Sequence, residues 1–259
     1  MKRIYQRRNE ISEYINSRGA ISFTELKLRF PDVSEMTLRT DLKILDQEMR
    51  IERFHGGARA LQRNARSDDL FFLRASRNIE KRQQIAKKAA IFFQTELERK
   101  HDIALYMDCG VTIEEICKQF PDEWCTIITN SISTAYTLSA LKKPSITLLG
   151  GQVNKYNCSC ESATNYALID RMYFDYAIIP TAGYDASVGF TCGKEVVDDI
   201  RWPILEHSNK RIVVFDSSKV GRIYPMIHAK EKDVNIIITD DDLPSEIHDH
   251  FINAGIIVL

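Results

Sequence analysis

Apolar residues in the opening stretch recur at helical spacing. Ile4, Ile11, Tyr14 and Ile15 share one face of a helix, and Gly19 stands where that helix would stop. Ile21 and Phe23 introduce a second short helix over 24–30, broken by Pro31 and Asp32. Ser34 is a good N-cap for a third helix, with Met36, Leu38, Leu42 and Leu45 as its apolar face. Thr37, Arg39, Thr40 and Lys43 then point outward. Residues 51–55 alternate and close on Gly56-Gly57, the pattern of a small β-hairpin. Three short helices followed by a hairpin make a winged helix-turn-helix, a mainly α module over residues 1–58.

Residues 59–80 are polar and weakly periodic, and read as a linker with some helix near its end. From Arg82 the texture changes. Ile85, Ala89, Ala90, Phe92 and Phe93 predict an amphipathic helix. Short apolar runs then follow at 103–107, 126–128, 146–149, 176–179, 212–215, 234–238 and 256–259, separated by helical stretches. Near-continuous apolar runs alternating with helices predict an α/β domain over 81–259, with a mostly parallel sheet covered on both faces.

Composition narrows the class. A chain of 259 residues with 44% hydrophobic and 27% charged content can bury a core of native size, which excludes disorder as its main theme. No apolar run reaches membrane-spanning length, so no membrane partner is expected. The charged N-terminus lacks an export signal, which points to the cytoplasm. The six cysteines are scattered, no C-x-x-C occurs, and neither a disulfide framework nor a metal site is expected. Net charge is −1, but residues 1–65 hold 13 basic against 9 acidic side chains while the remainder holds 22 against 27. The basic first quarter suits a polyanion.

Ligands of open α/β sheets bind beyond the carboxyl ends of the strands. The residues following the apolar runs there are small or polar. They are Asp108-Cys-Gly110-Val-Thr112, Thr129-Asn130-Ser131, Gly150-Gly151, Pro180-Thr-Ala-Gly183 and Asp216-Ser-Ser-Lys219. Small residues let backbone N–H groups approach an anion, and Lys219 adds a point charge. No G-x-S-x-G, H-E-x-x-H or P-loop is present, and no cofactor is expected. Asp108, Glu161, Glu195 and Asp216 are candidates for acid–base work, although Asp108 and Asp216 suit helix caps or loop anchors better. Asp240-Asp-Asp242 reads as a solvated turn, and His248-x-His250 as a solvent-facing pair.

The N-terminal module points to duplex DNA. Ser34 and Thr37 suit phosphate oxygens, Arg39 a guanine edge, and Lys43 and Arg53 phosphates. Thr40 lies on the same helix, and His55 with the Gly56-Gly57 tip suits the minor groove. A docking or dimerisation module would explain the apolar spacing but not this polar cluster beside a basic hairpin.

The stretch Val33-Ser-Glu-Met-Thr-Leu-Arg-Thr-Asp-Leu-Lys-Ile-Leu45, with Arg53-Phe-His-Gly-Gly-Ala58 after it, resembles the signature of the deoxyribose-operon-repressor (DeoR) family of bacterial regulators. Lys81-Arg-Gln-Gln-Ile-Ala-Lys-Lys-Ala-Ala90, Asp108-x-Gly-x-Thr112, Thr129-Asn-Ser131, Gly150-Gly151, Gly189-Phe-Thr191 and Asp216-Ser-Ser-Lys219 follow the order of that family's sensor domain. The resemblance implies a transcriptional regulator, usually a repressor of sugar-metabolism genes, working as a homodimer or homotetramer on a double-stranded operator. It implies a C-terminal domain similar to ribose-5-phosphate and glucosamine-phosphate isomerases that binds a phosphorylated sugar or related metabolite. Carried over by position, Asp108, Gly110, Thr112, Asn130, Ser131, Gly150, Gly151 and Lys219 would form the effector site, with no catalytic residues.

The chain departs from the pattern in places. Thr40 replaces a second basic residue, Met49 a glycine before the wing, Val111 a hydroxyl residue, and Ser162 a glycine; Cys158-Ser-Cys160 is atypical. Two other readings remain at this level: a sugar-phosphate isomerase with an appended DNA-binding module, and a redox-responsive regulator using Cys158 and Cys160.

Overall fold

The computed structural model describes residues 2–47, 50–54, 56–60, 74–75, 78–100, 102–193 and 200–259. The chain divides into two units, Met1–Leu73 and Arg74–Leu259.

The first unit is a winged helix-turn-helix. Helix α1 (Lys2–Arg18) ends at Gly19, whose φ of +80° few other residues adopt. Strand β1 (Ala20–Ser22) leads into α2 (Phe23–Arg29) through a capping box. In it Ser22 Oγ accepts the Glu25 N–H at 3.2 Å, and the Glu25 carboxylate accepts the Ser22 N–H at 2.9 Å. Helix α3 (Glu35–Gln47) starts after Ser34, and β2 (Glu52–Phe54) and β3 (Gly57–Arg59) form the hairpin. The three strands pair in the order β1-β3-β2. A Cβ on Gly57 would lie 2.3 Å from the Ile21 carbonyl oxygen, so only glycine lets β1 and β3 approach. Ile11, Ile15, Leu26, Leu38, Leu42 and Leu45 meet in the core. Met36 does not join them, contrary to the sequence reading: it is 76% exposed. Two positions on a helix are about 200° apart, so Met36 faces away from Leu38 and from the rest of that stripe. Asp41 is buried instead, and it accepts Arg7 Nε at 2.7 Å and Arg8 Nε at 2.8 Å, which locks α1 to α3.

The second unit opens with α4 (Ile79–Arg99). Its sheet has seven strands in the order β15-β14-β12-β9-β4-β5-β6, all parallel. They are β4 (Ile103–Met107), β5 (Cys125–Thr129), β6 (Ser145–Leu148), β9 (Phe174–Pro180), β12 (Ser208–Val214), β14 (Ile236–Ile238) and β15 (Ile257–Val258). Each of the seven apolar runs in the sequence lies in or beside one of these strands. Alternating side chains feed two cores. Leu105, Met107, Ile178 and Ile212 pack under α4 and α5 (Val111–Cys117). On the opposite face Val213 and Ile237 pack with Phe251 of α9 (Ser245–Asn253). Tyr106, Ile128 and Ala177 pack there with Ile169 of α7 (Thr164–Ile169) and Ile204 of α8 (Arg201–Glu206). Helix α6 (Ile132–Leu138) follows β5. Two small antiparallel sheets complete the unit: β7 (Gln152–Asn154) with β8 (Ser159–Glu161), and β10 (Gly183–Asp185) with β11 (Gly189–Cys192) and β13 (Met226–Ala229). The expected α/β class with a mostly parallel sheet is therefore what the structure shows.

Candidate nucleic-acid interface and ligand site

On α3, positions 36, 39, 40 and 43 fall on one stripe, and all four are exposed. The Arg39 guanidinium stacks 4.2 Å above the Phe23 ring and lies 3.8 Å from Glu35, yet its side chain stays 61% exposed. Ser34 Oγ caps the helix by accepting the Thr37 N–H at 3.2 Å and lies 2.8 Å from Thr37 Oγ1. Thr40 Oγ1 donates back to the Met36 carbonyl at 2.9 Å. Lys43 is exposed, as is Arg53 on the hairpin, where the Arg53 N–H donates to Asp46 at 2.9 Å. His55 lies outside the described residues. Met36, assigned to the core from sequence, stands instead among the outward side chains.

In the second unit every parallel strand delivers its carboxyl end to one edge, and a shallow, open depression lies there. Asp108 and Cys109 line it after β4, Asn130 after β5, Glu161 on β8, and Asn165 and Arg201 on α7 and α8. Asp108 is 1% exposed and accepts Arg201 Nε at 2.8 Å. Arg201 Nη1 donates to Cys192 Sγ at 3.1 Å. The Tyr106 hydroxyl donates to Asn130 Oδ1 at 3.0 Å, with Asp108 Oδ1 at 3.4 Å. These contacts form a continuous polar floor from Asn130 to Cys192. Burial, with Asp108 adding to it, pushes the Cys109 thiol up to about 12. Burial also raises Cys160, which lines the same depression. Burial thus disfavours the thiolate of both Cys109 and Cys160.

The remaining sequence candidates shape the edge. Ser131 is fully buried and caps α6 by accepting the Thr134 N–H at 3.2 Å. Thr112 is buried in α5, and Gly110 precedes that helix at φ +154°. The Gly150 carbonyl accepts Asn165 Nδ2 at 3.2 Å. Gly151 (φ +149°) would place a Cβ 2.2 Å from the Glu161 carbonyl oxygen, so its bare backbone brings β8 to the pocket. Lys219 sits on the neighbouring turn Ser217–Lys219, 3.8 Å from Asp216, and does not line the depression. Burial pulls its ammonium below the usual lysine range. Asp216 caps that turn, as its alternative role suggested: its side chain accepts the Ser218 N–H at 3.1 Å. Glu161 accepts Asn154 Nδ2 at 2.8 Å, and Glu195 lies outside the described residues.

The turn 240–242 is not simply solvated, contrary to the sequence reading. Asp240 is 1% exposed and accepts Lys81 Nζ at 3.0 Å. His248 and His250 are half exposed. Among the described residues no group of three or more His, Cys, Asp and Glu side chains could hold a metal ion, and no helix is long and apolar enough to cross a membrane.

Sequence reasoning missed Arg201, Asn157, Asn165 and His228. Arg201 had a signal: it falls on the apolar face formed by Ile204 and Leu205, where a lone arginine needs a buried partner. His228 is fully buried in β13. Thr181 Oγ1 lies 2.9 Å from the Gly183 and Thr191 carbonyls, so its one proton goes to a carbonyl and it accepts His228 Nε2–H at 3.0 Å. Nδ1 then carries a lone pair and has no partner among the described residues. Burial, reinforced by the Arg201 charge, pushes this imidazole down to about 3.

Comparison with known proteins identifies both units. The DeoR-like helix-turn-helix domain model matches residues 7–64, and the DeoR C terminal sensor domain model matches residues 77–241. The chain is 26% identical over 253 residues to the HTH-type transcriptional regulator GolR of Listeria innocua, covering 97% of this chain and 96% of that protein. It is 27% identical to the HTH-type transcriptional regulator IolR of Bacillus subtilis, covering 92% and 91% respectively. It is 25% identical to the lactose phosphotransferase system repressor of Staphylococcus epidermidis, covering 92% of each. Similar solved structures include the probable sor operon regulator from Shigella flexneri, with TM-score 0.45 and 10% identity, covering 65% of this chain and 89% of that one. Ribose 5 phosphate isomerase A from Neisseria gonorrhoeae has TM-score 0.37 and 13% identity, covering 54% and 52%.

Proposed function

The chain belongs to the DeoR family of helix-turn-helix transcriptional regulators, and we propose that it represses carbohydrate-metabolism genes under the control of a phosphorylated sugar or related metabolite. The family and these relatives are regulators rather than enzymes. A relative named for the lactose phosphotransferase system supports the sugar class.

In this reading residues 1–58 are the DNA-binding module, 59–80 the linker and 81–259 the sensor. Helix α3 enters the major groove of a double-stranded operator. Arg39 reads a base edge, Ser34, Thr37, Lys43 and Arg53 meet phosphates, and Thr40 and Met36 face the groove, where the methionine suits a thymine methyl. His55 serves the hairpin tip at the minor groove. Two or four copies acting together in the cytoplasm would match a repeated operator.

The observation that carries the sensor assignment is the polar-floored depression at the carboxyl ends of the parallel strands. Asp108 and Asn130 offer acceptors to sugar hydroxyls. Gly110, Thr112, Ser131, Gly150 and Gly151 hold the loops around them, and Lys219, on the neighbouring turn outside the depression, supplies positive charge for a phosphate that extends past its rim. A metabolite that favours one sensor arrangement shifts the population and so changes DNA affinity. The test is a thermal-shift screen of sugar phosphates, followed by titration of a selected operator duplex with each hit. A hit should raise the melting temperature and change DNA affinity; no stabilisation by any sugar phosphate refutes the effector class.

A further inference from the structure

The chain enters the sensor unit through Arg74 and Ala75, shortly before α4 begins at Ile79. This short segment is stitched to the ligand edge. Arg74 Nη2 donates to the Tyr156 carbonyl at 3.0 Å and to Asn157 Oδ1 at 2.9 Å. Asn157 lines the depression. Arg82, 3% exposed on α4, reaches back to the Arg74 and Ala75 carbonyls at 3.3 and 2.6 Å. Asn78 Nδ2 donates to Asp216 at 3.1 Å and to Ser218 Oγ at 3.0 Å. Lys81 Nζ donates to Ser217 Oγ at 2.6 Å and pairs with Asp240 and Asp242 at 3.0 and 2.7 Å. The segment therefore touches the β7–β8 turn and the loops after β12 and β14.

Charge gathers at the same place. Arg222, Arg82 and Arg74 all act on the Lys219 ammonium with like sign, and Asp216 opposes them. The Arg74 charge also reaches the thiol of Cys109 inside the depression. Arg74 does not itself line the depression; it stands one hydrogen bond from it, through Asn157, and within electrostatic reach of Lys219. Cations held together by the fold repel one another, and a bound dianion relieves that repulsion. The planar fork of arginine matches phosphate oxygens.

We propose that Arg74 contacts the anionic group of the effector and so couples pocket occupancy directly to the chain segment that leads to the DNA-binding unit. The proposal rests on the reading of this edge as a phosphate-binding sensor site. It places the switch at the point where the connecting chain meets the sheet, because a ligand held by Arg74 alters the same contacts that fasten that segment.

The experiment uses the full chain with inorganic phosphate as probe at constant ionic strength. Phosphate affinity is read by calorimetry, and backbone hydrogen exchange is followed over residues 74–82. Wild type should bind phosphate and slow exchange in that segment. Arg74→Gln should weaken phosphate binding by about tenfold or more, the expected loss of a charge-assisted contact, and abolish the change in exchange. Phosphate binding by Arg74→Gln at wild-type strength overturns the proposal and leaves the sensor site standing. Wild-type binding without any change in exchange over 74–82 overturns the coupling, whatever the folding of the variant. Absence of phosphate binding by wild type overturns the phosphate-site reading and the proposal with it.

Discussion

Arg201→Met is the perturbation that most directly probes the floor of the ligand site. The Arg201 and Asp108 side chains are 11% and 2% exposed, and their 2.8 Å contact leaves little room for water to replace a lost partner. Methionine keeps the apolar stem but strands the Asp108 carboxylate, and breaking a buried pair in this way costs about 3–5 kcal/mol. A unit of this size loses about 2–4 °C per kcal/mol, so its melting temperature should fall by roughly 6–20 °C. Asp108→Asn strands the guanidinium instead and should also destabilise. The double variant Asp108→Asn/Arg201→Met removes both charges and should recover most of the loss, with a coupling energy of about 2 kcal/mol or more. Both tryptophans of the chain, Trp124 and Trp202, lie in the sensor unit, so their fluorescence during urea unfolding reports that unit alone. An Arg201→Met protein within about 1 kcal/mol of wild type, or a double variant no better than the single ones, would refute the buried-pair argument.

Three further outcomes follow from the geometry. Arg39→Ala should weaken operator binding by about 1–3 kcal/mol and relax base preference, while Lys43→Ala should weaken all duplexes evenly and reduce the salt slope by about 1; binding titrations at several salt concentrations separate the two. Lys219→Ala should leave DNA binding intact and blunt the response to any sugar-phosphate hit, and an unchanged response moves the ligand elsewhere. His228 stays neutral when folded, with its imidazole near 3, whereas the unfolded chain takes up a proton below about 6.5. Stability should therefore fall with pH from about 6.5 toward 3, by about 2 kcal/mol between pH 7 and pH 5, and His228→Gln should lack that component. Equal pH slopes for the two proteins would contradict it.

What the sequence reveals here depends on whether a signal is local. The parallel strands are legible because both their faces are buried, so each appears as an unbroken apolar run such as Ile236–Ile238. The strand-end loops are legible for the same reason, since the edge is found wherever a run stops. Met36 was misplaced because its neighbours suggested a stripe, although two positions on a helix point apart. Asp240 was misplaced because its partner Lys81 is 159 residues away. Arg201 and Asp108, 93 residues apart, meet only when α8 folds over the end of β4. Arg74 and Asn157 are separated by 83 residues. Such meetings leave at most an incongruity in the pattern, as with the arginine beside Ile204 and Leu205.

That incongruity has a functional reading. A buried ion pair adds little stability over well-packed apolar residues of similar volume. A sheet that needed only to fold would have no use for Asp108, Arg201 and the neutral His228 beneath its carboxyl edge. Their presence there lowers the tolerance of the sensor to acid and to single substitutions. Asp108 and Arg201, which line the depression, also set a fixed acceptor and donor where the proposed ligand, a polyol carrying an anion, must be recognised, whereas His228 is fully buried and does not line it. Placing this polar floor beside the segment that runs back to the DNA-binding unit puts the least forgiving part of the sensor next to the connection it would control.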